Sequence, residues 1–324
     1  MKRLLSGIQP TGELHIGNYL GAVKQWVEFQ NDYDAFFMVA DYHTLTIKPK
    51  PEDMQRQALD LVAMLIALGI DPKSSTLFIQ SHIPAHTELC WIFSCFSTIG
   101  QLNRMTQYKD KSDKHGQTTG LLTYPILQAA DIALYGGEVV PIGQDQVQHL
   151  ELSREIIRSF NSHIGKGILI EPKPLLTTAA RIMGLNDPSK KMSKSIAGSA
   201  ISLLATDVEV AQTIKSAVTD SDPNSSELSP GIKNIFDILG GLGDASSVEK
   251  FEKMRKEGKL RYSELKEELI EVTISFLRPV QKTYQTLRAD EMLLHSIIDE
   301  GRTKAEPVAA KKLKEVKDSL GLIS

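Results

Sequence analysis

Apolar residues in the first half of the chain fall into runs of two kinds. Arg3–Gly7, Asp34–Ala40, Thr76–Gln80 and Glu138–Ile142 are short and almost unbroken, as expected of strands buried on both faces of a parallel sheet. Between them the spacing changes to threes and fours. Ile16, Tyr19, Leu20, Val23, Trp26 and Val27 mark one amphipathic helix. Pro51 opens a second at its first position and Gly69 closes it, with Leu61, Met64, Leu65 and Leu68 as the core stripe. Residues 85–99 read as a third, apolar enough on two sides to serve a subunit interface. Gly120 to Tyr135 reads as a fourth, stopped by Gly136 and Gly137, and Gly143 to Gln146 opens a fifth carrying Val147, Leu150, Leu152 and Ile156. Alternating strands and helices predict an α/β fold with a doubly wound, Rossmann-like parallel sheet.

The texture changes after the fifth helix. From Leu203 the pattern is helical with no convincing strand. Val208–Val218, Ile232–Leu239, Tyr262–Leu277, Glu291–Gly301 and Lys304–Leu320 are the expected helices, with Pro279 expected to end or kink the third. This places a catalytic domain at 1–196 and an all-α domain at 197–324, the last helix being free to pack back on the first domain.

With 324 residues the chain is long enough for one large or two moderate domains. A net charge of −3 means that a nucleic-acid partner must meet a local basic patch. Cys90 and Cys95 are the only cysteines and form no Cys-x-x-Cys pair, so buried free thiols in a reducing cytoplasm are expected rather than a zinc or disulfide framework. The N-terminus turns polar at once, unlike a signal peptide, and no apolar run reaches membrane-spanning length.

The first candidate chemistry lies in Ser6-Gly7-Ile8-Gln9-Pro10-Thr11-Gly12-Glu13-Leu14-His15-Ile16-Gly17-Asn18. A strand, a glycine-bearing turn and a helix N-terminus make an anion site, because free backbone N–H groups point outward at the positive end of the helix dipole. His15 and Asn18 share a face of the first turn, and both can donate to phosphate oxygens. Gly17 leaves room for a nucleotide against the backbone. The plainer reading is a self-capped turn with His15 on the surface. A matching element downstream weighs against it. Lys190-Lys191-Met192-Ser193-Lys194-Ser195 sits between loop-forming residues. Such runs are usually solvated, but two lysines bracketing a serine can close over a polyphosphate and neutralise a leaving group.

His-Ile-Gly-Asn early and Lys-Met-Ser-Lys-Ser late resemble the paired signatures of class I aminoacyl-tRNA synthetases. Ser-Gly-Ile-Gln-Pro-Thr-Gly followed by His-Ile-Gly-Asn-Tyr-Leu-Gly-Ala narrows the resemblance to the bacterial-type tryptophanyl-tRNA synthetase family, nearly end to end. Asn18 stands where the signature often has a second histidine. The resemblance implies activation of L-tryptophan by ATP, with Mg²⁺ as counterion and no metal site of the chain's own. Transfer to tRNA(Trp) follows, in a cytoplasmic homodimer whose helical domain reads the anticodon. It makes His15, Asn18, Lys191 and Lys194 catalytic. It places Gln9, Pro10, Thr11, Gly17, Gly143, Gln144, Asp145, Ile182, Met192, Ser193 and Ser195 with them at the ATP site. Gln144 stands where Glu is common, and Asp145 reads equally as a helix cap or as a ribose contact.

A tryptophan pocket must pair the one polar atom of indole, a donor. Asp131 stands on an otherwise apolar helix, where a carboxylate is costly unless paired. From the residues alone it reads equally as an internally bonded Asp or as the indole acceptor; the resemblance favours the acceptor. It also places Tyr124 and Gln146 at the α-amino group and His43, Val140 and Ile142 in the wall, with Leu5 and Gln128 departing from the Phe and Met of some members. Residues 104–118, with Lys109, Lys111, Lys114 and His115, read as a mixed-charge loop or as a contact to the tRNA backbone. The basic residues of the last helix read as a solvated face. A tyrosyl-tRNA synthetase is the nearest rival, though Asp131 alone supplies only one of the two polar partners a phenol needs.

Overall fold

The computed structural model describes residues 1–105, 118–143, 146–176, 181–219, 228–243 and 245–323. Lys109, Lys111, Lys114, His115, Gln144 and Asp145 lie outside them.

Five parallel strands form one sheet in the order β3-β2-β1-β4-β5. They are β1 (Arg3–Ile8), β2 (Asp34–Val39), β3 (Thr76–Ile79), β4 (Val139–Ile142) and β5 (Lys173–Leu176). Leu5 pairs with Phe36, and Phe36 with Thr76, while Leu4 pairs with Val139 on the other side. Successive side chains alternate between faces. Leu4, Phe37, Val39, Leu77 and Ile79 enter one hydrophobic cluster, and Leu5, Phe36, Met38, Phe78, Val140 and Ile142 enter the other. Helices on both faces cover these clusters, which is why the strands read as continuous apolar runs.

The helices that matter for the site are α1 (Ile16–Asn18), its continuation through a π-helical turn at Tyr19–Val23 into α2 (Lys24–Asp32), and α3 (Asp41–Thr44). They are followed by α4 (Pro51–Ala67), α5 (Ala85–Ser94), α6 (Ile99–Asn103), α7 (Thr119–Leu134) and α8 (Val147–Ile164). The C-terminal helices are α9 (Asp207–Lys215), α10 (Pro230–Leu242), α11 (Ala245–Lys256), α12 (Tyr262–Ala289) and α13 (Glu291–Ser319).

Several expectations from sequence need correction. β5 was absent from them; its four residues include Pro174 and are mostly exposed at the sheet edge, so they lack the buried apolar pattern. The helix expected over 85–99 breaks after Ser94, and Thr98 caps α6 by accepting from the Gln101 N–H. α12 runs through Pro279 to Ala289, and Glu291–Ser319 is one helix through Pro307, not two. Both prolines face solvent, so water can meet the carbonyls they leave free, while buried Leu277 and Val280, or Ala305 and Ala309, hold the neighbouring turns to the core. Gly301, read as a helix end, lies inside α13 instead: a Cβ there would overlap the Leu77 carbonyl of β3. Glycine is what lets α13 lie against the edge of the sheet. α11 was missed outright; it is polar and carries little apolar periodicity. Finally, Cys95 is exposed and Cys90 only part-buried, though both are free thiols. Among the described residues no helix is long and apolar enough to cross a membrane.

Candidate active site

Strand order reverses between β1 and β4. The connections β1–β2–β3 step one way, and the next strand is laid on the far side of β1. A crevice opens beyond the carboxyl ends at such a point. Here it is a cavity of 410 Å³ whose lining includes Gly7, Ile8 and Gln9 from the end of β1 and Ile142 and Gly143 from the end of β4. His43, Tyr124, Asp131, Gln146 and Lys191 line the same space, as do Leu5, Gln128 and Val140. This size suits a small-molecule site.

The turn before α1 follows Gln9 at the edge of this cavity; His15 and Asn18 do not line it, and His15 and Lys194 instead line a smaller neighbouring one. Asn18 Oδ1 accepts from the His15 backbone N–H at 3.0 Å, which leaves the amide nitrogen of Asn18 to donate outward. His15 is buried, and its Nδ1 has no partner. Burial, then the nearby charges of Lys194 and Lys191, lower its pKa from 6.5 to about 4. The imidazole is therefore neutral at pH 7, with one N–H to give and one nitrogen to accept. Gly17 lies against that ring: a Cβ there would sit 3.0 Å from His15 Nδ1 and 3.2 Å from Met192 Sδ.

The second segment is the lysine run. Met192 N–H donates to the Ile182 carbonyl at 3.0 Å and Gly184 N–H to the Lys190 carbonyl at 2.8 Å, so residues 182–192 form a hairpin stem. Buried Ile182 and Met192 anchor it in the core, and Ile182 does not line the cavity. Beyond the stem, Ser193 and Ser195 share a hydroxyl contact at 2.9 Å, and Ser193 N–H donates to Ser199 Oγ at 3.2 Å. Lys194 Nζ donates to the Thr11 carbonyl. The chain after the lysines is stitched to the turn before α1 as well. Ile16 N–H donates to Ile201 at 3.0 Å, Leu203 N–H to Leu14 at 2.9 Å, and Ser202 Oγ to Glu13 at 2.7 Å. The two segments expected from sequence to converge do so.

The floor is Asp131, on α7 and 1% exposed. His43 Nε2 donates to its Oδ2 at 2.8 Å, while Gln80 Nε2 at 2.8 Å and His86 Nδ1 at 2.6 Å donate to its Oδ1. The carboxylate fixes the His86 tautomer, so His86 Nε2 accepts from the Tyr135 hydroxyl at 2.9 Å. Burial would raise the pKa of Asp131, but the bonds from His43 and His86 outweigh it and lower it to about 2. A carboxylate offers about four lone-pair sites. Three are met, and the one left, on Oδ2, belongs to a side chain that lines the cavity. Asp131 is thus bonded internally, as one sequence reading expected, and it also lines the cavity. Gln80 and His86 were missed. For Gln80 a signal was available, since Gln80-Ser81-His82 follows β3 at the same sheet edge as Asp41-Tyr42-His43; for His86 there was none. Tyr124 completes the wall, its hydroxyl 2.7 Å from His149 Nε2.

The family of class I tRNA synthetases for tryptophan and tyrosine matches residues 1–278, and the chain belongs to that family. It is an aminoacyl-tRNA ligase. Its relatives narrow the comparison. It is 44% identical over 329 residues to the tryptophan–tRNA ligase of Caldanaerobacter subterraneus subsp. tengcongensis, spanning 100% of this chain and 99% of that one. It is 45% identical over 327 residues to the tryptophan–tRNA ligase of Halalkalibacterium halodurans, spanning 99% and 98%. Among solved structures, tryptophanyl-tRNA synthetase from Campylobacter jejuni complexed with ADP and tryptophan superposes with a TM-score of 0.87 at 34% identity, covering 99% of this chain and 100% of that one.

Proposed function

We propose that this chain activates L-tryptophan with ATP and passes it to the 3′-terminal adenosine of tRNA(Trp). The observation that carries this reading is the meeting of the His15–Asn18 turn and the Lys191–Lys194 segment beside a cavity whose floor is one buried carboxylate. Full-length tryptophan–tRNA ligases at 42–45% identity support the choice of amino acid.

The tryptophan carboxylate is ionised at neutral pH and needs no general base. One of its oxygens attacks the α-phosphorus of ATP, the bond from that phosphorus to the bridging oxygen breaks, and pyrophosphate leaves. The 2′-hydroxyl of the terminal adenosine then attacks the carbonyl of the adenylate, and AMP leaves. Catalysis is positioning and charge neutralisation. Neutral His15 and the free amide of Asn18 donate to phosphate oxygens without bringing a charge that must be neutralised first. Lys191 and Lys194 stabilise the departing pyrophosphate. Gln9, Pro10, Thr11, Gly17, Gly143, Gln144, Asp145, Met192, Ser193 and Ser195 complete the ATP site, with Ile182 against the adenine. Mg²⁺ enters with ATP as part of the substrate.

Asp131 Oδ2 accepts the indole N–H, and Tyr124 and Gln146 hold the α-amino group. Phenylalanine would leave the acceptor unpaired, a mismatch that can discriminate by several powers of ten. Residues 197–324 form the anticodon-reading domain. The protein works as a cytoplasmic homodimer, for which exposed Trp91 and Ile99, 72% and 71% accessible, offer an apolar contact face. Amino-acid-dependent ATP–pyrophosphate exchange tests the reading: tryptophan drives it, and exchange driven by tyrosine instead would overturn the assignment.

A further inference from the structure

Asn234 is a polar side chain in the middle of α10, 2% exposed and flanked by buried Ile232, Ile235 and Ile238. A buried amide is costly unless its donor and acceptor are both met. One residue meets both. Asn234 Oδ1 accepts from the Met183 N–H at 2.7 Å, and Asn234 Nδ2 donates to the Met183 carbonyl at 2.8 Å. This is what a neighbouring β-strand would supply. Met183 faces Lys191 across the hairpin stem. In an antiparallel pair the backbone groups of alternate residues point outward. Asn234 therefore pins the outer edge of the stem whose other strand carries Lys191. The start of α10 adds a second anchor: Gly231 lies against the Val218 carbonyl, where a Cβ would collide, and Val218 N–H donates to Leu185 at 2.8 Å.

The far end of α10 reaches the other ATP segment. Lys24 Nζ donates to the Gly241 carbonyl at 2.8 Å. A Cβ on Gly241 would lie 2.7 Å from Leu20 Cδ2, and Leu20 is a buried residue of the π-helical turn that follows Asn18. One helix thus holds the lysine stem near its start and seats against the phosphate turn's own helix at its end.

We propose that α10 is a brace that fixes the spacing between the two ATP-gripping segments, with Asn234 as the positioning residue for Lys191 and Lys194. The proposal rests on the reading that these lysines meet ATP. Asn234 touches no substrate in that reading; it acts through the stem. Charge stabilisation depends on placement, and a shift of about 1 Å can cost about 10²-fold in rate.

The test uses the full-length chain and its Asn234→Ala, Lys194→Ala and combined variants. Tryptophan-dependent pyrophosphate exchange gives kcat and KM, calorimetry gives tryptophan binding, and thermal unfolding reports the fold. Asn234→Ala is expected to lower kcat by about 10²-fold while tryptophan affinity stays within about twofold. In the Lys194→Ala background the same substitution should cost less than in the wild type, because part of its effect travels through Lys194. Asn234→Asp keeps the volume and the acceptor for Met183 N–H, and stands in if the alanine variant does not fold. A folded variant with wild-type kcat, or full additivity with Lys194→Ala, overturns the brace while the lysine control leaves the ATP reading standing. Loss of exchange in Lys194→Ala no greater than its loss of tryptophan binding overturns both.

Discussion

Lys194 donates to the backbone carbonyl of Thr11, 183 residues earlier in the chain. A carbonyl is a neutral partner, and a triphosphate is a far stronger one. Burial also lowers the pKa of Lys194, against the opposing charge of Glu13. The ammonium is therefore held beside the turn before α1 by a bond that an anionic ligand can displace. Lys194→Ala is expected to lower the rate of adenylate formation by about 10²- to 10³-fold with little change in tryptophan affinity. Single-turnover kinetics paired with calorimetry measures both, and equal effects on the two would contradict a role confined to the transition state.

Asp131 carries the second prediction. Asn at this position would keep the shape and, with its oxygen in place of Oδ1, still accept from Gln80 and His86, but its NH2 would strand the His43 donor at about 1–3 kcal/mol and offer the site a donor in place of an acceptor. Asp131→Asn should raise KM for tryptophan by about 10²-fold or more and lower the unfolding temperature. The pH dependence has a definite sign. The folded pKa, about 2, lies below the ordinary value of 3.8, so the carboxylate stabilises the fold fully above about pH 4. That contribution, about 2 kcal/mol, is lost as pH falls toward 2. The stability gap between wild type and Asp131→Asn should narrow over this window in urea titrations; a gap constant down to pH 2 would speak against it.

His15, unlike an exposed imidazole, links stability to pH. Its folded pKa of about 4 lies below 6.5, so protonation favours the unfolded chain and stability falls as pH drops from about 6.5 to about 4. The imidazole should show no titration between pH 5.5 and 8 by NMR in the free protein. Bound triphosphate should raise its pKa, because the phosphate charge favours imidazolium. A free-protein value near 6.5 would remove the argument that His15 donates as a neutral group.

Gly301→Ala sets two effects against each other. Alanine is better than glycine in a helix interior by about 1 kcal/mol. The added Cβ would overlap the Leu77 carbonyl, and a strand backbone in the middle of the sheet's hydrogen-bonded edge cannot step aside as a side chain can. Overpacking costs about 1–3 kcal/mol or more, so net destabilisation is expected in denaturant unfolding. A stabilised variant would mean that α13 does not seat there.

The parts of this molecule that were legible in sequence are those set by short-range pattern. β1 to β4 are buried on both faces and read as apolar runs. His15, Asn18, Lys191 and Lys194 lie in glycine- and serine-marked loops whose chemistry is local. What was not legible depends on contacts between distant segments. β5 is an exposed edge strand held by pairing with β4. Pro279 was read as an end or kink, and Gly301 as a helix end, because the burial that carries their helices onward comes from partners far away in sequence. His86 is an ordinary polar residue until the fold turns it onto Asp131. Asn234 gives no sequence signal at all, since its partner is the backbone of Met183.

The proposed mechanism requires one triphosphate gripped from two sides and one carboxylate that selects the indole. A crystal structure with a non-hydrolysable ATP analogue and tryptophan measures this most directly. The phosphates are expected between the His15–Asn18 turn and Lys191 and Lys194, with the indole nitrogen within hydrogen-bond distance of Asp131 Oδ2. Phosphates bound away from either segment, or an indole nitrogen turned from Asp131, would contradict it.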